Sequence, residues 1–322
     1  MSKNNITQFK TFVNRSERKK VALLISDKLK NIGEYQRATR MKNCSDFITV
    51  VWCPSCGHNH VQSVNLCRDR ACPICGAKLS RKRYNEMIQC MDYIIAAYGD
   101  NIKAYFLTLT LKNVSINQLS STLSNMLKAY KAMQRTKCLN RAIGWARNLE
   151  ITYNRQYNTY HPHLHVILLF DKSYNPDEHS IMKAWQHQLG IEYEPIINLI
   201  ECYNKHEQAD NYDGIIIAGA CAEASKYLHK SAQMLSIPDR DFKTYLSSIK
   251  GVRFTGYGGV IKTTRSKLGM KNEEIEEMEE TTAQICHCGT TLQHAVFQWS
   301  GIEYQQISDI INEDEQNERT AI

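Results

Sequence analysis

The 322-residue sequence has little of what marks a membrane-bound or secreted protein. It has no apolar run of the roughly 20 residues that a membrane-spanning helix requires. Its first residues, Met-Ser-Lys-Asn-Asn-Ile, lack the hydrophobic segment of a secretory signal peptide. These absences predict a cytoplasmic protein with no membrane partner. In the reducing cytoplasm, the 12 cysteines indicate metal sites rather than disulfide bonds.

Acidic residues are scarce in most of the chain. The whole sequence has 40 basic and 33 acidic residues, but residues 273–322 hold 12 of the acidic residues and only one basic residue. Residues 1–272 therefore carry 39 basic and 21 acidic side chains, a net charge of +18. This positive charge predicts that residues 1–272 bind a polyanion, most simply DNA. The alternative is a basic surface that contacts only solvent.

Glycine spacing typical of a nucleotide-binding loop is also missing. Residues 253–260 are rich in glycine, but they lack the arrangement that cradles nucleotide phosphates. We therefore assign this stretch to close packing or to an approach of the backbone to DNA.

Two cysteine pairs within residues 44–75 predict a zinc ribbon. Each pair has the form Cys-Pro-x-Cys-Gly, which places two thiolates on one tight turn, and the glycine lets the backbone curl around the sulfur atoms. The spacing between the pairs suits a structural zinc ion. The four predicted ligands are Cys53, Cys56, Cys72 and Cys75.

Two further cysteines, Cys44 and Cys67, leave the zinc assignment open. Either they contribute to a second zinc site, or the true quartet is Cys44, Cys67, Cys72 and Cys75. The short pair Cys286-His287-Cys288 could be half of another metal site, but one pair is weak evidence. Basic residues around the second knuckle, from Arg68 to Arg83, form a candidate DNA-facing patch.

The segment 161–170, His-Pro-His-Leu-His-Val-Ile-Leu-Leu-Phe, predicts a strand that carries a metal site. Side chains alternate along a strand, so His163 and His165 point to the same face and can chelate a divalent cation. Residues 149–153 predict a preceding strand, and a hairpin between the two places Glu150 opposite the region of Leu164. Two imidazoles and a carboxylate suit Mg²⁺ or Mn²⁺ with open positions for substrate oxygens.

Hydrophobic periodicity predicts alternating helices and strands after residue 80. Besides the hairpin, helices are expected at residues 80–98, 116–138, 177–190 and 221–230, and strands at 104–111, 192–200 and 215–217. In the last helix, Glu223 and Tyr227 are four residues apart and share one face.

Three segments in a fixed order resemble the motifs of a known protein group. They are Phe106-Leu-Thr-Leu-Thr110, His161-Pro-His-Leu-His-Val-Ile167 and Glu223-Ala-Ser-Lys-Tyr227. Together they resemble the rolling-circle replication initiators of small bacterial plasmids, in the His-hydrophobic-His (HUH) endonuclease superfamily. The run Cys67–Cys75 is similar to the segment before the first motif of that family. The resemblance spans about residues 40–265.

This resemblance implies a fold and a division of roles. The fold would be α+β, a central antiparallel sheet with packed helices, preceded by the zinc-binding module. Carried over by position, His163 and His165 would hold Mg²⁺ or Mn²⁺, Tyr227 would be the nucleophile and Glu223 the general base of the closing step. The expected domains are a basic segment (1–40), a zinc-binding module (41–80), the endonuclease (81–268) and an acidic tail (269–322).

The function implied by the resemblance is that of a metal-dependent, site-specific DNA endonuclease and strand transferase. It would nick a single-stranded site at the plasmid origin, form a 5′-phosphotyrosine adduct, and end replication by a second cleavage and rejoining. Host helicase and polymerase are the further expected partners. The alternatives are a single-strand transposase or mobilisation relaxase with the same chemistry, and a zinc-containing protein that only binds DNA.

Overall fold

The computed structural model describes residues 10–203, 215–225, 231–270 and 285–307. The chain divides into two compact units: Met1–Gly76 with Ile275–Ile322, and Ala77–Glu274. Helices and antiparallel strands occur in both, which confirms the predicted α+β class. None of the helices in these described ranges combines the length and apolar character needed to cross a membrane.

The helices are as follows, in chain order: α1 (Lys10–Asn31), α2 (Tyr35–Lys42), α3 (Pro73–Tyr98), α4 (Ile116–Met133), α5 (Glu178–Leu189), α6 (Ile217–Ala224), α7 (Ser231–Ser236), α8 (Asp239–Ile249) and α9 (Gly259–Lys267). The strands are β1 (Phe47–Trp52), β2 (Asn59–Val64), β3 (Ile102–Thr110), β4 (Gly144–Asn154), β5 (Thr159–Asp171), β6 (Ile197–Tyr203), β7 (Ile215–Ile216), β8 (Thr255–Gly258), β9 (Gln293–Trp299) and β10 (Tyr304–Gln306). A short 3₁₀ turn, Gly99–Asn101, joins α3 to β3.

The first unit contains a four-stranded antiparallel sheet in the order β10-β9-β1-β2. Alternate residues of β1 and β9, among them Ile48, Val50 and Phe297, are buried in its core. Tyr304 of β10 closes this core and donates a hydrogen bond to the carbonyl oxygen of Ser45 (2.7 Å). The sheet thus joins two segments that lie more than 200 residues apart in sequence.

This sheet corrects the prediction that residues 269–322 form an acidic tail. Residues 285–307 instead build the middle and edge of the first unit, with β9 paired along the whole of β1. The acidic residues of the C-terminal region concentrate outside this segment, so the overall charge conceals a strand with apolar alternation. The observed boundaries between the two compact units follow residues 76 and 274, whereas the predicted domain boundaries follow residues 40, 80 and 268.

The second unit contains a six-stranded sheet in the order β7-β6-β3-β5-β4-β8. Neighbouring strands are antiparallel, except that β7 runs parallel to β6. Strand β5 lies between β3 and β4, so both of its edges are hydrogen-bonded. Residues 166–170 of β5 are all buried, because helices cover both faces of the sheet at this point.

One face of this sheet packs against α3, α6 and α9. Its cluster includes Phe106 of β3, Ala146 of β4 and Ile167 of β5, together with Ala220 and Cys221 of α6. The opposite face packs against α4, whose apolar stripe from Leu119 to Met133 is buried. The first of these two faces also carries the candidate site.

Candidate metal centre and active site

Strand register brings the predicted metal ligands onto one face of the central strands. In the β4–β5 ladder Glu150 lies directly opposite His163, one residue from the predicted partner Leu164. His165 follows two residues along β5 and pairs with Thr108 of β3. Directly paired residues and residues two apart share a face of a sheet, so all four side chains point the same way.

The three candidate ligand atoms converge on one point. Glu150 Oε2 lies 3.2 Å from Nε2 of His165 and 3.3 Å from Nε2 of His163. Ligands that bind one ion at about 2.1 Å lie about 3.0–3.4 Å apart in octahedral or tetrahedral geometry. The side chains of Glu150 and His165 are 7% and 10% exposed, which leaves a narrow approach from solvent. This donor set could therefore hold a small divalent cation.

The second ring nitrogen of each histidine has a partner of its own. Nδ1 of His163 lies 3.3 Å from the carbonyl oxygen of His161, which can only accept, so Nδ1 is the protonated nitrogen. Nδ1 of His165 lies 3.3 Å from Oγ1 of Thr108. Nε2 of each ring faces the carboxylate, and with the ring proton on Nδ1 its lone pair could bind a cation at the same point. A cation at that point would satisfy all three groups.

Stacking also fixes the ring of His165. The ring of Phe106 lies parallel to it, with an interplanar angle of 13° and centroids 5.5 Å apart. Phe106 and Thr108 both belong to the first sequence motif, so the motif supplies two contacts to one metal-ligand candidate. The sequence alone identified the motif but gave no sign of this role.

The electrostatics of the cluster favour an ionised carboxylate. Burial raises the pKa of Glu150, but without a bound cation the hydrogen bonds and charge interactions with His163 and His165 outweigh burial and hold that pKa well below its ordinary value. The ionised form is the one that coordinates a cation.

We predict that loss of the Thr108 hydroxyl weakens metal binding, because this hydroxyl lies 3.3 Å from Nδ1 of the candidate ligand His165. We expect Thr108→Val, which keeps the β-branched shape but removes Oγ1, to raise the Kd for Mn²⁺ by about 10- to 100-fold. Isothermal titration with Mn²⁺ measures this. The matched control is Thr110→Val on the same strand, because Thr110 Oγ1 donates instead to the carbonyl oxygen of Ile196 (2.6 Å). An equal loss in both variants would show a general effect on β3 rather than positioning of His165.

The helix that precedes the predicted nucleophile packs on the same sheet face. Ala220, Cys221 and Ala224 of α6 lie in the cluster that contains Ile167, and His165 lies two residues before Ile167 on the same face of β5. Glu223, the predicted general base, is half-buried near the end of α6. Tyr227 lies outside the described residues, so the structure places one member of the predicted catalytic pair.

The cysteines form two quartets rather than the predicted ribbon of Cys53, Cys56, Cys72 and Cys75. The first is the alternative quartet, with Cys44 at 3.6 Å from both Cys72 and Cys75, and Cys67 at 3.7 Å from Cys75 (Sγ–Sγ). A tetrahedral zinc site with Zn–S bonds of 2.3 Å has edges of about 3.8 Å, so these four sulfur atoms fit zinc.

The second quartet corrects the prediction for the first knuckle. Cys53 and Cys56 group with Cys286 and Cys288, not with Cys72 and Cys75. The local spacing indicated the correct kind of turn, but it could not show which two turns meet. Cys286, which lies beside Cys56, is 230 residues away in sequence. The pair Cys72 and Cys75 is nearer and has regular zinc-ribbon spacing, so the sequence favoured that pair instead.

The basic residues predicted around the second knuckle differ in their exposure to solvent. Arg68, Arg70 and Arg81 are exposed, whereas Arg83 is buried with 7% exposure and cannot face DNA directly. Lys82 lies 4.0 Å from Glu86, a weak ion pair that a phosphate could replace. Each of the exposed arginines could contact the DNA backbone.

Comparison with known proteins assigns the chain to a family. A family profile described as "Replication protein" matches residues 58–307. This range contains the candidate metal site on β4 and β5 and helix α6, which packs on the same sheet face. The chain belongs to the replication protein family. This confirms the family resemblance found from the three motifs.

Several curated relatives are replication proteins by name. A protein named "Protein rep" from Streptococcus pneumoniae serotype 2 is 25% identical over 274 residues, covering 82% of each chain. A "Protein rep" from Lactiplantibacillus plantarum is 28% identical over 258 residues, covering 76% of this chain and 78% of the relative. One from Bacillus amyloliquefaciens is 27% identical over 274 residues, covering 77% and 79%. The search of solved structures found no match.

Proposed function

We propose that this replication protein initiates rolling-circle replication of a plasmid by nicking one DNA strand at the origin. One observation carries the proposal: Glu150, His163 and His165 converge on the sheet face against which α6 packs. In sequence, α6 leads directly to Tyr227. A protein that only bound DNA would need neither the buried His-His-Glu cluster nor a tyrosine that follows it.

Glu150, His163 and His165 would hold Mg²⁺ or Mn²⁺ through one carboxylate oxygen and two Nε2 atoms. When bound, the cation polarises a non-bridging oxygen of the scissile phosphate and offsets the charge that develops there. The protein leaves the remaining coordination positions for substrate oxygens and water. The carbonyl oxygen of His161 favours the His163 tautomer that leaves Nε2 free to bind the cation, and the Thr108 hydroxyl can accept a hydrogen bond from Nδ1 of His165 in the same way.

Tyr227 supplies the nucleophile. The phenol gives up its proton to solvent and its oxygen forms a bond to the phosphorus atom; the bond from phosphorus to the 3′ oxygen breaks, and that oxygen takes up a proton from solvent. The products are a free 3′-hydroxyl, which can prime a polymerase, and a 5′-phosphotyrosine. Because phosphodiester and phosphotyrosine bonds are similar in energy, the strand can later be rejoined without ATP.

Glu223 acts in the closing step. With one nucleophilic tyrosine, the second cleavage at the end of a replication cycle needs another nucleophile. Glu223 accepts a proton from water, and the resulting hydroxide attacks the phosphorus atom of the regenerated nick site, which breaks the bond to the 3′ oxygen. The freed 3′-hydroxyl then attacks the phosphotyrosine, which closes the strand and releases Tyr227. The half-buried place of Glu223 on α6, four residues before Tyr227 in sequence, suits a base that shares the substrate phosphate with the tyrosine.

The charge of the chain suits the proposed substrate. A net charge of +18 over residues 1–272 favours a single DNA strand held by phosphate contacts, with host helicase and polymerase acting on the exposed 3′ end. The cysteine quartet of Cys44, Cys67, Cys72 and Cys75 is proposed to hold a structural zinc ion. Its zinc would join the segment after α2, the segment after β2 and the start of α3.

The family match favours an initiator over a single-strand transposase or a mobilisation relaxase, which would share the chemistry. The deciding experiment is incubation of purified protein with a labelled oligonucleotide of the plasmid origin, with and without Mn²⁺. We expect a nick and a covalent adduct only with Mn²⁺. Cleavage of mobile-element ends but not of the plasmid origin would support the transposase instead.

Glu223→Ala should separate initiation from termination. We expect the first cleavage and the adduct to persist, while the closing hydrolysis fails and over-long single-stranded products accumulate, because Tyr227 and the metal ligands are intact. Electrophoresis of products from a supercoiled origin plasmid measures this. Glu192→Ala, which removes an exposed carboxylate elsewhere in the same unit, is the control. If Glu223→Ala terminates replication normally, Glu223 is not the general base of the closing step, and the proposed nicking reaction is unaffected.

A further inference from the structure

The second cysteine quartet lies between two turns of the same construction. In the first turn, Gly57 N donates to the carbonyl oxygen of Cys53 (3.0 Å) and Cys53 N donates to that of His58 (2.8 Å). In the second, Gly289 N donates to the carbonyl oxygen of Cys286 (2.8 Å) and Cys286 N donates to that of Thr290 (2.8 Å).

Both turns need glycine at the same place. Gly57 has φ of +70° and Gly289 has φ of +84°, a backbone conformation that other residues adopt at a cost. In each turn the glycine directly follows the second cysteine, and it bends the backbone around the two sulfur atoms. This is the construction of a zinc knuckle, so the molecule contains two knuckles that face each other.

The sulfur atoms of the two knuckles lie at distances that fit one metal ion. Cys53 Sγ is 3.4 Å from Cys288 Sγ, and Cys56 Sγ is 3.5 Å from Cys286 Sγ. These separations are too long for a disulfide bond, and they are near the edge of about 3.8 Å in a tetrahedral zinc–sulfur site. In both knuckles the first cysteine is buried and the second is exposed.

Strand pairing, apolar packing and a hydrogen bond hold the two knuckles together. Each knuckle adjoins a strand of the first unit's sheet, and β1 pairs with β9 so that Val51 lies opposite His294. Val51 and Leu292 pack with the two buried cysteines in a small apolar cluster. Thr290 Oγ1 also donates to Ser55 Oγ (2.9 Å), which joins the two turns directly.

We propose that residues 47–64 and 285–306 form a single zinc ribbon divided by the rest of the chain, with Cys53, Cys56, Cys286 and Cys288 as its four zinc ligands. The ribbon is independent of the nicking reaction. Its zinc fastens the C-terminal segment to the N-terminal hairpin, and the second unit is the insertion between its halves. The free energy of metal binding then stabilises a strand pairing whose partners are separated by a long stretch of chain, which is costly to close.

A competing ligand set exists at the same place. His58, Cys286 and His287 also lie close enough to hold an ion, with Cys286 Sγ 3.4 Å from His287 Nδ1. Cys286 cannot serve two separate sites, and this set offers three ligands where structural zinc takes four. The four thiolates are therefore the better site, and the histidines lie beside it.

The test is zinc content per chain, measured by elemental analysis of protein purified without chelator. Wild-type protein should hold two zinc ions, one in each quartet. We expect Cys286→Ala with Cys288→Ala to hold one. The matched control, Cys138→Ala with Cys202→Ala, removes two buried cysteines outside both quartets and should keep two. Two zinc ions in the Cys286/Cys288 variant would overturn the proposal.

Two further measurements keep the proposal testable if that variant folds poorly. Cys288→His replaces an exposed ligand by another zinc ligand and should keep two zinc ions, whereas Cys288→Ala should lose one. His287→Ala should keep two, and loss of an ion there would replace the four-cysteine site by the histidine set. Hydrogen exchange should quicken in β9 of Cys288→Ala but not in β5, and unchanged exchange in β9 would contradict the fastening role.

Discussion

Tyr227→Phe is expected to abolish both DNA nicking and the covalent protein–DNA adduct. The variant lacks only the phenolic oxygen, which supplies the bond to phosphorus, so we expect the rate to fall by roughly 10³-fold or more. Metal binding and DNA binding should stay close to wild type. Glu150, His163 and His165 are positioned by the paired strands β4 and β5.

The adduct itself gives the decisive measurement. Mass spectrometry of peptides from protein incubated with origin oligonucleotide and Mn²⁺ should locate the nucleotide on Tyr227. Tyr98→Phe is the matched control, because Tyr98 is exposed at the end of α3 and lies outside the predicted motifs. An adduct on another tyrosine would sink the assignment of the nucleophile, while the metal site would stand.

Local signals in the sequence predicted most of the second unit. The hairpin of β4 and β5 follows from period-two alternation around a polar turn, and the register was predicted to within one residue. Helices α4 and α5 lie within the predicted residues 116–138 and 177–190, because their apolar stripes recur at helical spacing. The metal ligands on β4 and β5 could be named because they depend on this local geometry.

Contacts between distant segments could not be predicted in the same way. Strands β1 and β9 pair across more than 230 residues, and the apolar residues of each strand are compatible with a strand but do not identify its partner. The same distance hid the link between the knuckles at Cys53 and Cys286, because spacing identifies a turn but not its partner. The support of His165 by Thr108 was also invisible, since 57 residues separate the two and a threonine in a strand is unremarkable in composition.

His163→Ala with His165→Ala should abolish nicking while leaving most of the DNA binding. The double variant removes both Nε2 atoms and leaves only the Glu150 carboxylate of the three candidate ligands. We expect this carboxylate to be unable to hold the cation alone. The lost stabilisation of the transition state is several kcal/mol, which corresponds to a fall in rate of about 10²- to 10³-fold or more. Affinity for single-stranded DNA should change little, because phosphate contacts dominate it, and its dependence on salt should keep the same slope.

The control for this double variant removes two histidines outside the site. His179 and His187 lie exposed on α5, so His179→Ala with His187→Ala should keep wild-type nicking and Mn²⁺ dependence. Titration of nicking rate against Mn²⁺, together with DNA binding at several salt concentrations, separates the two effects. Nicking that persists in the His163/His165 variant would remove the metal site from the mechanism. A parallel loss of DNA binding would instead assign the two rings to holding the strand, because a loss confined to the chemical step leaves the phosphate contacts intact.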